Sequence, residues 1–185
     1  SILDSSLRIA TPLIFCAMAG IFSERSGIID IGLEGKMLLS AFVAALVTYY
    51  TGSPWIGLTG AIFASGCASI VHGFACITNK GDQVISGLAI NILASGITIT
   101  VGIALFSRGG QTPPLKSEDR FMPISLPFES TLANLPLLGE FYAKVISGHN
   151  VLVYIALLIV ALTFYVIFKT SFGLRLRAVG EKPEA

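Results

Sequence analysis

Five mostly apolar stretches, each near the length that crosses a bilayer, take up most of this chain. A spanning helix needs about 20 such residues to traverse roughly 30 Å of hydrocarbon. The stretches run over about residues 7–22, 28–50, 55–78, 83–106 and 151–168. Polar breaks separate them. Ser23-Glu24-Arg25-Ser26-Gly27 ends the first. Thr51-Gly52-Ser53-Pro54 ends the second, and Pro54, which cannot continue a helix, can open the next. Trp55 then stands where an interfacial aromatic belongs. Asn79-Lys80-Gly81-Asp82 is a tight polar turn with Asp82 as N-cap of the fourth stretch. Pro12 interrupts the first stretch, a feature that a spanning helix tolerates better than a soluble one.

Composition narrows the reading. Only 12% of the 185 residues are charged and 54% are hydrophobic, against about 25% charged in a soluble domain. A soluble enzyme, a disordered tail and a basic nucleic-acid binder are excluded on that count. A net charge of +1 gives no electrostatic case for an anionic polymer, so no nucleic-acid partner is expected. Cys16, Cys67 and Cys76 lie inside apolar runs without ligand spacing, as buried fillers rather than a disulfide frame or a metal site. Arg8, the short run after it and Ala17-Met18-Ala19 look like a secretory signal, but Pro12 and four later stretches argue against one. The fold predicted is an all-α polytopic membrane helix bundle of about five transmembrane helices.

Residues 107–150 differ in composition. Prolines 113, 114, 123, 127 and 136 fall there, which predicts an extramembrane loop, with a short helix near Gly139–Ile146. Lys and Arg set the orientation. With the C-terminal tail cytoplasmic, that side holds Arg25, Lys36, Lys80, Lys169, Arg175, Arg177 and Lys182. The other side holds Arg8, Arg108, Lys116, Arg120 and Lys144 over far more loop. The density favours the N-terminus outside and the C-terminus in the cytoplasm.

Polar and small residues within the spans are the candidate functional positions. Gly57, Ala61, Ser65, Ser69 and Gly73 recur every four residues, a face on which a second helix backbone can pack closely. Asp30 and Glu34 share a helix face, unfavourable as like charges and costly in lipid unless they meet water, a partner or a permeating solute. Hydrated charges at an interfacial helix end and a lined translocation pathway both account for them. Asn91, with Gly87 and Ser95 at helical spacing, either bonds between helices or lines that pathway. His72 reads as a packed or interfacial histidine. Gly32-Leu33-Glu34-Gly35-Lys36-Met37 superficially looks like a phosphate loop, but its glycines are too close and Met37 stands where Ser or Thr is required. No catalytic constellation is visible, so the chain is expected not to be an enzyme and to bind no cofactor. Any ATP and magnesium would sit on a partner subunit.

Three segments carry a family resemblance. Gly20-Ile-Phe-Ser-Glu-Arg-Ser-Gly-Ile-Ile-Asp-Ile-Gly-Leu-Glu-Gly-Lys-Met-Leu-Leu39 resembles the signature of the membrane subunits of ABC importers. The likeness is to the nucleoside and simple-sugar branch, more distantly to branched-chain amino-acid permeases. Asp82-Gln83-Val84-Ile85-Ser86-Gly87-Leu88-Ala89-Ile90-Asn91 resembles a second motif of that branch. The third runs from Phe172 through Gly173-Leu174-Arg175-Leu176-Arg177-Ala178-Val179-Gly180-Glu181-Lys182 to Ala185. The family usually has Asn where this chain has Asp30.

The resemblance implies a binding-protein-dependent, ATP-driven importer permease in a bacterial inner membrane, for nucleosides or simple sugars. It would assemble with ATPase subunits, a second permease copy or sister, and an extracytoplasmic substrate-binding lipoprotein. Arg175, Arg177, Gly180, Glu181 and Lys182 would belong to the surface that couples to the ATPase, with 170–185 the start of that region. Family members are longer, so the chain is expected to be a fragment that stops as the coupling helix begins, near Pro183. A secondary transporter or channel using Glu34 and Asn91, or a non-functional truncated permease, are the competing expectations.

Overall fold

A computed structural model of the chain describes residues 2–107, 111–124 and 149–182. The short helix expected near Gly139–Ile146, and Pro183, lie outside these residues. The elements in order are α1 (Ile2–Arg25), α2 (Leu33–Thr51), α3 (Pro54–Gly73), a wider π-helical turn (Phe74–Thr78) and α4 (Gln83–Phe106). A 3-10 turn (Ser117–Asp119) follows, then the two-residue strands β1 (Pro123–Ile124) and β2 (His149–Asn150), α5 (Val151–Lys169) and α6 (Ser171–Glu181). The fold is all-α, and among the described residues five helices are long and apolar enough to cross a membrane: Ser5–Arg25, Leu33–Thr51, Pro54–Thr78, Gln83–Phe106 and Val151–Lys169.

Local chemistry explains the helix ends. Gly52, at φ +66°, closes α2 in the left-handed conformation and its N–H returns to the Thr48 carbonyl. Pro54 occupies the first turn of α3, where its missing N–H would have had no partner. The Asp82 carboxylate accepts from the N–H groups of Val84 and Ile85 at 2.8 and 3.0 Å, capping α4. In α1 Pro12 has no N–H for the carbonyl four residues back, and the Thr11 hydroxyl donates to the Leu7 carbonyl beside it at 2.8 Å.

The second apolar stretch reads as helical from about Ile28, but α2 starts only at Leu33. Gly27 takes φ +81°, and Asp30 Oδ1 accepts the Gly32 N–H at 3.1 Å, folding residues 30–32 into a turn. Hydrophobicity identified the stretch; turn chemistry at Gly27 and Asp30 moved its start. α1 also reaches beyond the expected 7–22 at both ends.

The helices divide between two compact units. One takes α1 through Ala19 together with Phe121–Leu174. Here β1 and β2 pair antiparallel, Pro123 with Asn150 and Ile124 with His149, and lead into α5. Val153, Ala156, Thr163 and Ile167 form its buried face. Thr170 is extended between α5 and α6. A side chain at Gly173 would overlap the carbonyls of Val166 and Ile167, so this elbow is tight enough to need glycine.

The other unit takes Gly20–Arg120 and the chain from Arg175 onward. In it α2 and α4 run parallel and α3 antiparallel to both. Gly32 and Gly35 meet Gly87 and Asn91 at one end of the α2–α4 pair. The Tyr49 and Tyr50 rings meet Phe106 at the other, with centroids 5.3 and 6.4 Å apart. α4 buries Gly87, Ile90, Ala94, Thr98 and Gly102 at helical spacing. Its outer face exposes Ile92 (74%) and Leu93, as α3 exposes Phe63 (76%) and Ile70. Such contiguous bare apolar faces suit lipid or another spanning subunit and not water.

Candidate functional site

The polar residues of the second unit gather where α2 begins, α3 ends and α4 begins. Asp30 forms an ion pair with Lys36, whose side chain is only 6% exposed. The two are six residues apart, with a turn and the first turn of α2 between them. That is not a helical repeat, and sequence spacing therefore could not pair them. His72, 3% exposed near the end of α3, places Nε2 3.7 Å from Asp30 Oδ1. Its Nδ1 lies 3.0 Å from Ser86 Oγ on α4. Cys76 Sγ, one turn on from His72 and within the π turn, lies 3.7 and 3.8 Å from the two ring nitrogens. The wider turn after Gly73 ends with Gly81 N–H on the Ala75 carbonyl at 3.0 Å. Three helix ends are thus tied by one cluster of Asp30, Lys36, His72 and Ser86.

A second set of bonds fastens the segment before α2 onto α4. Gln83 Oε1 accepts the Ile29 N–H at 2.7 Å. Asn91 Oδ1 accepts the Gly35 N–H at 2.7 Å, and its Nδ2 donates to the Ile31 carbonyl at 3.1 Å. Gly32, at the N-cap of α2, offers no side chain, and Gly35 N–H is one of the donors that a helix start leaves open. Asn91 therefore caps α2 from another helix. The approach is close: a Cβ on Gly35 would stand 2.7 Å from Asn91 Cα, and one on Gly87 would stand 2.9 Å from the Gly32 nitrogen.

Of the residues proposed for a translocation pathway, Asp30 and Asn91 fall into this network and their polar atoms are engaged within it. Glu34 is separate: it is exposed in the first turn of α2. Among the described residues the small-residue face of α3 is packed in its first half. A side chain on Gly57 would overlap Thr48 Oγ1 and come within 2.8 Å of the Ala44 carbonyl, and Ala61 is 9% exposed. Ser65 is half-buried, Ser69 exposed, and a Cβ on Gly73 would meet nothing within 4 Å.

α6 presents Arg175 and Glu181 as exposed side chains, with Arg177 half-buried and Lys182 exposed just beyond its end. α6 is helical through Glu181, and the coupling-helix start that the resemblance implies near Pro183 lies outside the described residues. Gly180 is half-buried against α1: a Cβ there would overlap the Arg25 carbonyl and stand 3.1 Å from Gly27 N.

The cluster brings a hydroxyl, an imidazole and a carboxylate together, which the sequence did not reveal. Asp30 is already neutralised by Lys36 and also holds a backbone N–H, so it is committed to holding the turn. Among the described residues no group of three or more His, Cys, Asp or Glu side chains could hold a metal ion. Lys36, Ser86 and Gln83 are the members that sequence reasoning missed. The visible signal was their place in the two motif segments.

Comparisons with known proteins place the chain in a family. Residues 2–185 match the family model described as branched-chain amino acid transport system / permease component. The chain is 36% identical over 190 residues to the guanosine ABC transporter permease protein NupQ of Bacillus subtilis, covering 100% of this chain and 57% of that relative. It is 31% identical to the nucleoside ABC transporter permease protein NupC of Lactococcus lactis, again over 100% of this chain and 57% of the relative. It is 32% identical to the putative glucose ABC transporter permease protein TsgC13 of Haloferax volcanii, over 99% of this chain and 52% of the relative. The chain spans about half the length of the curated relatives it matches. No solved structure matches it.

Proposed function

Because the chain belongs to the branched-chain amino acid transport system permease family, we propose that it is part of the membrane-spanning component of an ATP-driven, binding-protein-dependent importer for nucleosides or simple sugars. The observation that carries this is the match along the whole chain, 36% identical to a guanosine permease, on five helices of spanning length. The chain works as a transport subunit and not as a catalyst. ATP and magnesium act on partner ATPase subunits, and a second permease and an extracytoplasmic binding lipoprotein complete the assembly.

The physical reading assigns three parts. The α6 face with Arg175, Arg177 and Glu181, and Lys182 just beyond it, meets the ATPase on the cytoplasmic side of a bacterial inner membrane, with the N-terminus outside, while Gly180 seats that segment against the end of α1. The Asp30–Lys36–His72 cluster and the Asn91 clasp hold α2 in place. Glu34, exposed where α2 begins, is the pathway residue, since an ionisable group in that region is expensive unless it meets water or solute. Closure of the ATPases then rocks the spans between outward and inward access.

The test is reconstitution of the full-length permease with its ATPase and binding-protein partners in proteoliposomes. Uptake of labelled nucleoside or sugar that requires ATP supports the reading. Uptake driven by a proton gradient and indifferent to ATP overturns it in favour of a secondary transporter.

A further inference from the structure

Residues Arg25 to Gly27 and Gly180 meet backbone to backbone. A Cβ at Gly180 would overlap the Arg25 carbonyl, and a Cβ at Gly27 would stand 3.1 Å from the Gly180 carbonyl oxygen and 3.2 Å from its Cα. Glycine on both sides leaves no side chain that could bend to absorb a displacement, and close-packed groups transmit strain. Gly27 holds φ +81°, a conformation that L side chains rarely adopt.

The turn that receives this contact is braced internally. Ser23 Oγ donates to the Ile28 carbonyl at 2.9 Å and Ser26 Oγ to the Ser23 carbonyl at 2.7 Å. The N–H groups of Gly27 and Ile28 return to the carbonyls of Glu24 and Ser23 at 3.0 and 3.2 Å. Residues 23–28 therefore move as one piece. The next residues are fastened elsewhere: Ile29 N–H to Gln83, and Asp30 to Lys36, with His72 close by. Only Ile28 and Ile29 separate Gly27 from Asp30 of the buried ion pair.

We infer that the Gly27–Gly180 contact is a mechanical joint, through which displacement of the Arg175–Glu181 segment is delivered to the Asp30–Lys36–His72 cluster. Gly27 is thus a positioning residue for transport, with no part in docking the ATPase or binding solute. The inference rests on the proposed function for what moves α6, and on geometry alone for where the movement goes.

The main variant is Gly27→Asn in the full-length permease. Asn tolerates the left-handed backbone but puts a side chain into the joint. Three measurements follow: ATPase co-purification, ATP-dependent uptake, and amide exchange over residues 27–32 in the purified permease without ATPase. The expected result is retained co-purification, about tenfold slower uptake, and exchange at 27–32 faster by about tenfold as the turn loosens. Gly66→Ala, where a Cβ meets nothing within 4 Å, changes none of the three.

Wild-type uptake or unchanged exchange at 27–32 in Gly27→Asn overturns the joint. Loss of co-purification with the ATPase also overturns it, because the turn would then be a docking contact. Should Gly27→Asn fail to fold, Gly180→Ala read by the same exchange measurement decides the question. A wild-type protein without ATP-dependent uptake defeats the functional reading while leaving the exchange result to judge the joint.

Discussion

Asn91 caps a helix that is not its own: its Oδ1 takes the N–H of Gly35 in the first turn of α2 at 2.7 Å, fifty-six residues away in sequence. The same side chain gives its Nδ2 to the Ile31 carbonyl at 3.1 Å. One amide thereby satisfies a donor left open by the helix start and an acceptor in the turn preceding it. Within a membrane such groups have little water to turn to, so the bond both positions α2 and removes a penalty.

Asn91→Leu should therefore lower stability by about 1–3 kcal/mol, the penalty of leaving buried polar groups without partners. The check is thermal unfolding of the detergent-purified full-length protein. Asn91→Asp keeps the acceptor for Gly35 N–H and loses the donor, so it should fall between Leu and wild type. Equal melting of Leu and wild type would show that water reaches both backbone groups.

Lys36 and Asp30 should behave as a pair. Removing one partner of a buried ion pair strands the other charge, at about 3–5 kcal/mol, whereas removing both is far milder. Lys36→Met is expected to destabilise strongly and Lys36→Met with Asp30→Asn to recover most of the loss. A double-mutant cycle on melting temperature measures it. Simple additivity would mean that the two side chains do not sense each other.

These two cases show what the sequence could and could not reveal. The spans were legible because apolar length is a local property, and Asp82 was legible as a cap because its bonds reach only two and three residues ahead. The Asn91–Gly35 bond is non-local, so Asn91 could be flagged only as a buried amide with two open readings. Lys36 was counted among the cytoplasmic charges that orient the chain, yet its charge is cancelled by Asp30. The pairing depends on a turn at Gly27–Gly32 inside what reads as one apolar run. On α3 the spacing puts Gly73 and Gly57 on one stripe, and among the described residues α2 meets its Gly57 half.

That asymmetry gives a graded prediction. Gly57→Ala must push a methyl into Thr48 Oγ1 and the Ala44 carbonyl, an overpacking cost of about 1–3 kcal/mol. Gly73→Ala and Gly66→Ala meet open space and should stabilise their helix by about 0.5–1 kcal/mol, the difference between Gly and Ala in a helix interior. Melting temperatures that fall for Gly57 and rise for the other two are expected. A fall for Gly73 as well would mean that another subunit packs along the whole face.

Glu34 separates transport from stability. Its side chain is exposed and takes no part in the cluster, so Glu34→Gln should shift stability by no more than about 0.5 kcal/mol. As the proposed pathway residue, its loss of charge should slow ATP-dependent uptake while expression and melting stay normal. Unchanged uptake would remove Glu34 from the pathway and leave it as a hydrated helix-end charge.

Charge on α6 should govern association with the ATPase. Arg175 is exposed and Arg177 half-buried on a helix that also exposes Phe172, Leu174, Val179 and Glu181, with Lys182 exposed just beyond it. Charge complementarity selects the partner of such a face, and reversal sets like charges against each other at a cost of several kcal/mol. Arg175→Glu with Arg177→Glu should abolish co-purification of the ATPase while the permease still inserts and melts normally. Because Arg175 is exposed, the wild-type complex should also loosen as salt rises from about 0.1 M towards 1 M, where screening shortens to about 3 Å. The reversal then discriminates between two roles for the same arginines. If they only anchor the end of a span on the positive side, charge reversal disturbs insertion and leaves the assembled complex salt-insensitive. If they dock the ATPase, insertion is normal and the complex is lost.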